Sequence, residues 1–139
     1  MIARALREAG LLLVLAAIPA TVIGVWQLKV NPERETALEP GEVRAAEAKG
    51  WATDKVWVDA RSRAKFEHKK VPGAVLLNSE EWEELVPKFL DAWAPDKAVI
   101  VYGDREGDAA ATIAFRLREE LKIGNVWVLH GGFEEWSRR

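Results

Sequence analysis

The chain has 139 residues, 49% of them hydrophobic and 30% charged, with a formal net charge of −2 and no cysteine. Such a composition fits one folded domain with a short appendage, and it excludes a disordered or collagenous chain. Without a thiol the chain supports no disulfide, persulfide, thiolate metal site or cysteine-linked lipid.

Charge is unevenly placed. Residues 1–29 carry Arg4, Arg7 and Lys29 against Glu8, whereas the rest of the chain carries 17 basic and 21 acidic residues. A mildly acidic domain lacks the basic face that releases counterions from nucleic acid, so no nucleic-acid partner is expected.

Residues 10–28, GLLLVLAAIPATVIGVWQL, contain no charge. As a helix they would extend about 28 Å, close to the roughly 30 Å of a bilayer core. Trp26 stands where an interfacial aromatic belongs, and Arg4 and Arg7 flank the other end. Two other readings stay open, a cleaved signal sequence and a buried core helix. Signal cores usually run about 7–15 residues and end in small residues; this run is longer, and Ile18-Pro19-Ala20 is a poor cleavage site. A core helix would show a polar face. The arginine bias places the N-terminus in the cytoplasm. The expected organisation is a short cytoplasmic N-terminus (1–9), a transmembrane anchor or signal sequence (10–28), a polar linker (29–39) and a folded domain (40–139). That domain would lie on the periplasmic or extracytoplasmic side of an inner or plasma membrane.

Helical and strand patterns then alternate. Pro40 to Lys49 reads as a short helix stopped by Gly50, and Val56 to Asp59 as a strand. One or two helical turns follow over Ser62 to Glu67, then a strand over Ala74 to Leu77. Ser79 is a plausible helix N-cap, with Glu80 and Glu81 favourable to the dipole. Trp82, Leu85, Val86, Phe89, Leu90 and Trp93 recur at helical spacing, interrupted by Pro87, where a kink or break is expected. Ala98 to Tyr102 (AVIVY) is the most hydrophobic strand and is expected at the centre. A long helix carrying Ala110, Ile113, Ala114, Leu117 and Leu121 follows it, ended by Gly124. Val126 to Leu129 is the last strand, and Gly131-Gly132 leads into a terminal helix with Phe133 and Trp136. This alternation predicts an α/β fold: a parallel sheet flanked by helices.

Three segments, in order, resemble the rhodanese-like domain family over roughly residues 40–137. VWVDARSRAKFEHKKVPGAVLLN places Asp59, Arg61, Phe66, Pro72, Gly73, Ala74 and Asn78 on the family's strand-Asp-x-Arg segment and Pro-Gly-Ala turn. AVIVYGDREGD falls on the strand and active-site loop, and NVWVLHGGFEEW on the last strand, double glycine (Gly131, Gly132) and terminal Trp136. The resemblance implies a central parallel sheet. In active members it also implies sulfur transfer, in which a cysteine directly after the strand's tyrosine takes sulfur as a persulfide beside backbone N–H groups at a helix N-terminus. Here the position after Tyr102 is Gly103. The loop is one residue longer if Gly107 matches its glycine, the usual Arg-Ser is Asp108-Ala109, and the histidine before the Pro-Gly-Ala turn is Lys70.

Four readings of Gly103, Asp104, Arg105, Glu106, Gly107 and Asp108 stay open. The structural reading has Asp108 capping the next helix, Gly107 in a glycine-only conformation and Gly103 turning the chain. A second makes Asp104, Glu106 and Asp108 ligands of a hard cation, against the helix dipole. A third makes Asp104 a nucleophile or general base at the end of a strand. A fourth binds an anion on the loop amides with help from Arg105. His68 and His130 read as solvated surface and not a zinc site. Arg61 reads as the partner of Asp59, and Arg63, Lys65, Lys69 and Lys70 as a solvated basic face. Trp57, Trp82, Trp127 and Trp136 read as core; Trp51 and Trp93 are left unassigned. The expectation is a membrane-anchored domain leaning away from catalysis, with a binding or regulatory role, no cofactor, no metal and an unknown protein partner. The alternatives are an enzyme of altered chemistry using Asp104 or a loop-bound metal, and a tethering subunit of a membrane complex.

Overall fold

A computed structural model of the chain describes residues 37–138. The chain divides into two units, Met1–Ala37 and Leu38–Arg139, of which the second is described. The expected anchor at 10–28 lies outside the described residues. Among the described residues no helix is long and apolar enough to cross a membrane.

Five strands, β1 (Glu42–Val43), β2 (Lys55–Asp59), β3 (Val75–Leu76), β4 (Ala98–Tyr102) and β5 (Val126–Leu129), form one sheet in the order β1-β5-β4-β2-β3. Every neighbouring pair is parallel. Five helices connect or follow them: α1 (Ala45–Gly50), α2 (Arg63–His68), α3 (Trp82–Ala92), α4 (Asp108–Glu119) and α5 (Gly132–Ser137). All five residues of β4 are buried, as a strand covered on both faces requires.

Alternation along the strands sorts side chains into two cores. Val56, Val58, Val99 and Val101 face α3 and α4 and pack with Trp82, Leu85, Phe89, Ile113 and Leu117. Ile100, Tyr102 and Leu129 face the other side, with Val43, Ala48 and Val71 and the half-buried Trp51, Trp57, Trp127, Phe133 and Trp136.

Several local expectations need correction. Pro40 to Lys49 is not one helix. Glu42–Val43 pairs with Val128 and Leu129 as an edge strand, and α1 begins only at Ala45. Ser79 does not cap α3. The helix starts at Trp82, and Asn78 Oδ1 accepts the Glu81 N–H at 2.9 Å. Pro87 does not break α3, which runs continuously to Ala92. Pro87 and Glu83, the pair whose backbone bond proline removes, are both exposed, while the buried Trp82, Leu85 and Phe89 hold the helix on the sheet. Leu90, counted in the apolar stripe, is 41% exposed. The long helix ends at Glu119 rather than at Gly124, and Lys122 (φ 56°) makes the turn before β5.

Candidate functional site

The candidate site lies at the carboxyl end of β4, where parallel α/β sheets bind ligands. Its base is a buried polar network. Asp59, at the end of β2, is fully buried, and Arg61 is 7% exposed. Arg61 Nε and Nη2 donate to Asp59 Oδ1 and Oδ2 at 3.0 and 2.7 Å, and the Arg61 backbone N–H donates to Oδ1 at 2.9 Å. Tyr102 Oη donates to Asp59 Oδ2 at 2.8 Å and accepts the Val71 N–H at 3.1 Å. Arg61 Nη2 also donates to the Lys69 carbonyl at 2.6 Å, and its guanidinium lies 4.2 Å from the Phe133 ring centre. Burial works against the guanidinium charge, but the Asp59 hydrogen bond and charge outweigh it and raise the Arg61 pKa. Burial pushes the Tyr102 hydroxyl well above the usual tyrosine range. Arg61 is therefore occupied within the fold rather than aimed at a ligand.

This network holds the Pro72, Gly73, Ala74 segment in place. The Ala74 N–H bonds to the Val71 carbonyl at 3.0 Å, closing the turn that feeds β3.

The loop from Gly103 to Asp108 stands on that base. Gly103 is buried and its carbonyl accepts the Phe133 N–H at 2.9 Å. A methyl group on Gly103 would come within 3.3 Å of the Ala110 backbone nitrogen. Gly103 does not have the positive φ that would mark it as the residue turning the chain; close packing on α4 is what favours glycine there. Gly107 has φ 79° and donates its N–H to the Asp104 carbonyl at 3.1 Å. Gly107, not Asp108, is the N-cap residue of α4; Asp108 is the first helical residue, its carboxylate in the favourable first turn.

Asp104 is the one loop carboxylate with a partner that sequence spacing does not announce. Lys65 Nζ, on α2, lies 2.9 Å from both Asp104 oxygens. Arg105, Glu106 and Asp108 are exposed. Among the described residues no three His, Asp or Glu side chains come together as a metal site. Of the other basic residues, Arg63 binds Glu81 at 2.8 Å and joins α2 to the start of α3, holding the Glu81 carboxyl below its usual range. Lys70 Nζ lies 4.2 Å from the Phe66 ring centre. His68 is exposed, but His130 is not simply solvated surface, because its Nδ1 lies 3.1 Å from Glu42 Oε2 and links the end of β5 to β1.

Gly131 and Gly132 have φ 73° and 62° and start α5. A methyl group on Gly132 would overlap the carbonyl oxygens of both Gly103 and Asp104. Trp136 stacks on Phe133, with ring centres 6.0 Å apart.

A parallel sheet in this order, with a loop and helix N-terminus at the end of its central strand and a double glycine beneath that loop, defines a class of parallel α/β domain. The rhodanese-like domain model matches residues 40–139, and the chain belongs to that family. Solved structures agree on the fold. A rhodanese-like domain protein from Staphylococcus aureus is 17% identical, with a TM-score of 0.54, covering 70% of this chain and 92% of that one. A rhodanese-related protein from Thermoplasma volcanium is also 17% identical, with a TM-score of 0.54 and coverage of 68% and 88%. A Rhodopseudomonas palustris protein described as of unknown function and a possible tyrosine phosphatase is 25% identical, with a TM-score of 0.53 and coverage of 68% and 77%. No curated protein matches the chain.

Proposed function

We propose that this is a non-catalytic rhodanese-like domain with a binding or regulatory role, held at a membrane by residues 10–28 with the domain on the extracytoplasmic side. The observation that carries the first part is Gly103. In the family's active members the residue after the strand's tyrosine supplies the sulfur nucleophile. Here that position has no side chain, and its backbone packs against Ala110 and Phe133. A backbone methylene has no lone pair with which to attack a sulfur donor, whatever the helix N-terminus contributes.

An enzyme built instead on Asp104 is less well supported. Both oxygens of its carboxylate are engaged by Lys65 Nζ at 2.9 Å. The pair is about half exposed, so its stabilisation is below about 1 kcal/mol. That is weak enough to be exchanged for a partner's charges, as a binding surface requires.

Thiosulfate-to-cyanide sulfur transfer tests the reading. The full chain is expected to show no turnover above the uncatalysed rate, with Gly103→Cys as the variant that restores a thiol to the loop. Wild-type turnover that disappears when Gly103 or Asp104 is changed would overturn it.

A further inference from the structure

At the start of α3 lies an open cleft of about 380 Å³, lined by residues 79–84 and by Arg116 of α4. Its four glutamates are not equivalent. Glu81 binds Arg63 at 2.8 Å, and Glu84 lies 3.7 Å from both Arg63 and Lys88. Arg116 is itself engaged by Glu120 at 2.9 Å. Glu80 and Glu83 are exposed and have no cationic partner among the described residues. Pairing therefore leaves two negative charges uncompensated in the cleft. The dipole of α3 offsets only about half an elementary charge of them.

A second feature points to a ligand. Trp82 is 6% exposed, and the Arg116 guanidinium lies over its ring, 3.9 Å from the centre. Among the described residues the one side-chain N–H sealed from solvent without a partner is that of Trp93. The Trp82 indole N–H has no acceptor in the domain either, so it is open, and the wall it stands in is that of the cleft. A packed indole with an unused donor gains a hydrogen bond when an acceptor enters. The helix dipole accounts for carboxylates at this place but not for the unused donor. A bare metal ion brings no acceptor, and among the described residues no three acidic side chains converge as a metal site. An anion would meet Glu80 and Glu83. An acceptor joined to an organic cation satisfies both features.

We propose that this cleft binds a basic segment of a partner protein. A lysine or arginine of the segment pairs with Glu80 and Glu83, and a main-chain carbonyl beside it accepts the Trp82 N–H. No residue of the cleft belongs to the loop at 103–108. Sulfur-transfer turnover would therefore overturn the non-catalytic reading and leave this one standing.

The seven tryptophans supply the readout. The full chain, labelled with 5-fluorotryptophan and kept in a nonionic detergent, is titrated at low ionic strength with a capped peptide of alternating glycine and arginine. Trp82→Phe assigns the Trp82 fluorine resonance, and Arg116→Gln, which strips the cation from its ring, confirms it. The expected result is a saturable shift of that resonance, absent with the same peptide carrying citrulline for arginine. Glu80→Gln combined with Glu83→Gln is expected to weaken binding about tenfold while the other fluorine resonances stay in place. Glu47→Gln combined with Glu134→Gln, exposed carboxylates on α1 and α5, is expected to leave binding within about twofold. An unmoved Trp82 resonance, or an equal shift from the citrulline peptide, overturns the proposal. Undiminished binding by the Glu80 and Glu83 variant overturns it as well. Equal losses in the two double variants mark attraction to net charge alone and overturn it too.

Discussion

Gly132 is the residue on which the candidate loop leans. Two requirements meet there: a φ of 62° and contact with the Gly103 and Asp104 carbonyls. Gly107 has only the first, with φ 79° and open space around it. A left-handed conformation costs a non-glycine residue about 1–2 kcal/mol, and forced overpacking adds about 1–3 kcal/mol. Gly132→Ala is therefore expected to destabilise by about 3 kcal/mol and Gly107→Ala by about 1 kcal/mol. Urea unfolding of both variants checks this, and equal losses would show that the loop does not lean on Gly132. The sequence makes the double glycine visible but not its reason, because the contacted carbonyls lie nearly thirty residues away. The Lys65–Asp104 pair is hidden for the same reason, its members being 39 residues apart. Asp59 and Arg61, two residues apart, are read easily as a pair, and the structure joins them by three hydrogen bonds between side chains.

At the scale of elements, legibility follows length and periodicity. Ala98–Tyr102 and Val126–Leu129 have the bounds that their apolar runs imply. β1 does not announce itself, because two residues carry no alternation and only pairing with β5 makes them a strand. The start of α3 is hidden because Ser79 has the residue type of a cap but not the position. Ser79 is exposed, whereas Asn78 is 1% exposed and fixes the turn into α3 by accepting the N–H of Glu81, the N-cap residue, while its Nδ2 donates to the Arg61 carbonyl at 3.2 Å. Asn78→Ala strips partners from the Glu81 N–H and the Arg61 carbonyl together. It is expected to cost about 2 kcal/mol, whereas Ser79→Ala stays within about 0.5 kcal/mol. Thermal or urea unfolding of the two variants separates the two roles, and the reverse ranking would make Ser79 the residue that sets the start of α3.

Across the described domain, the Tyr102–Asp59–Arg61 network joins β4, β2 and the turn before β3 beneath the Gly103–Asp108 loop. The polar groups of this framework are spent on structure. Tyr102 offers a direct reading of that framework, because it is the only tyrosine in the chain. Burial first, and the Asp59 charge after it, raise its pKa above the ordinary value. Below about pH 10 the hydroxyl is protonated in folded and unfolded chains alike, and its contribution is fully present. Above that pH the unfolded chain releases the proton while the folded chain keeps it, so stability falls by up to about 1.4 kcal/mol per pH unit until the folded-state pKa is reached. The tyrosinate absorbance band should therefore appear together with unfolding, not before it. Tyr102→Phe loses about 1–3 kcal/mol at neutral pH, through the unpaired Val71 N–H and the lost Asp59 bond, but should show a shallower alkaline decline. A tyrosinate band with a midpoint near pH 10 in the folded chain would mean that the network is open to water. The loop would then stand on a solvated floor rather than a sealed one.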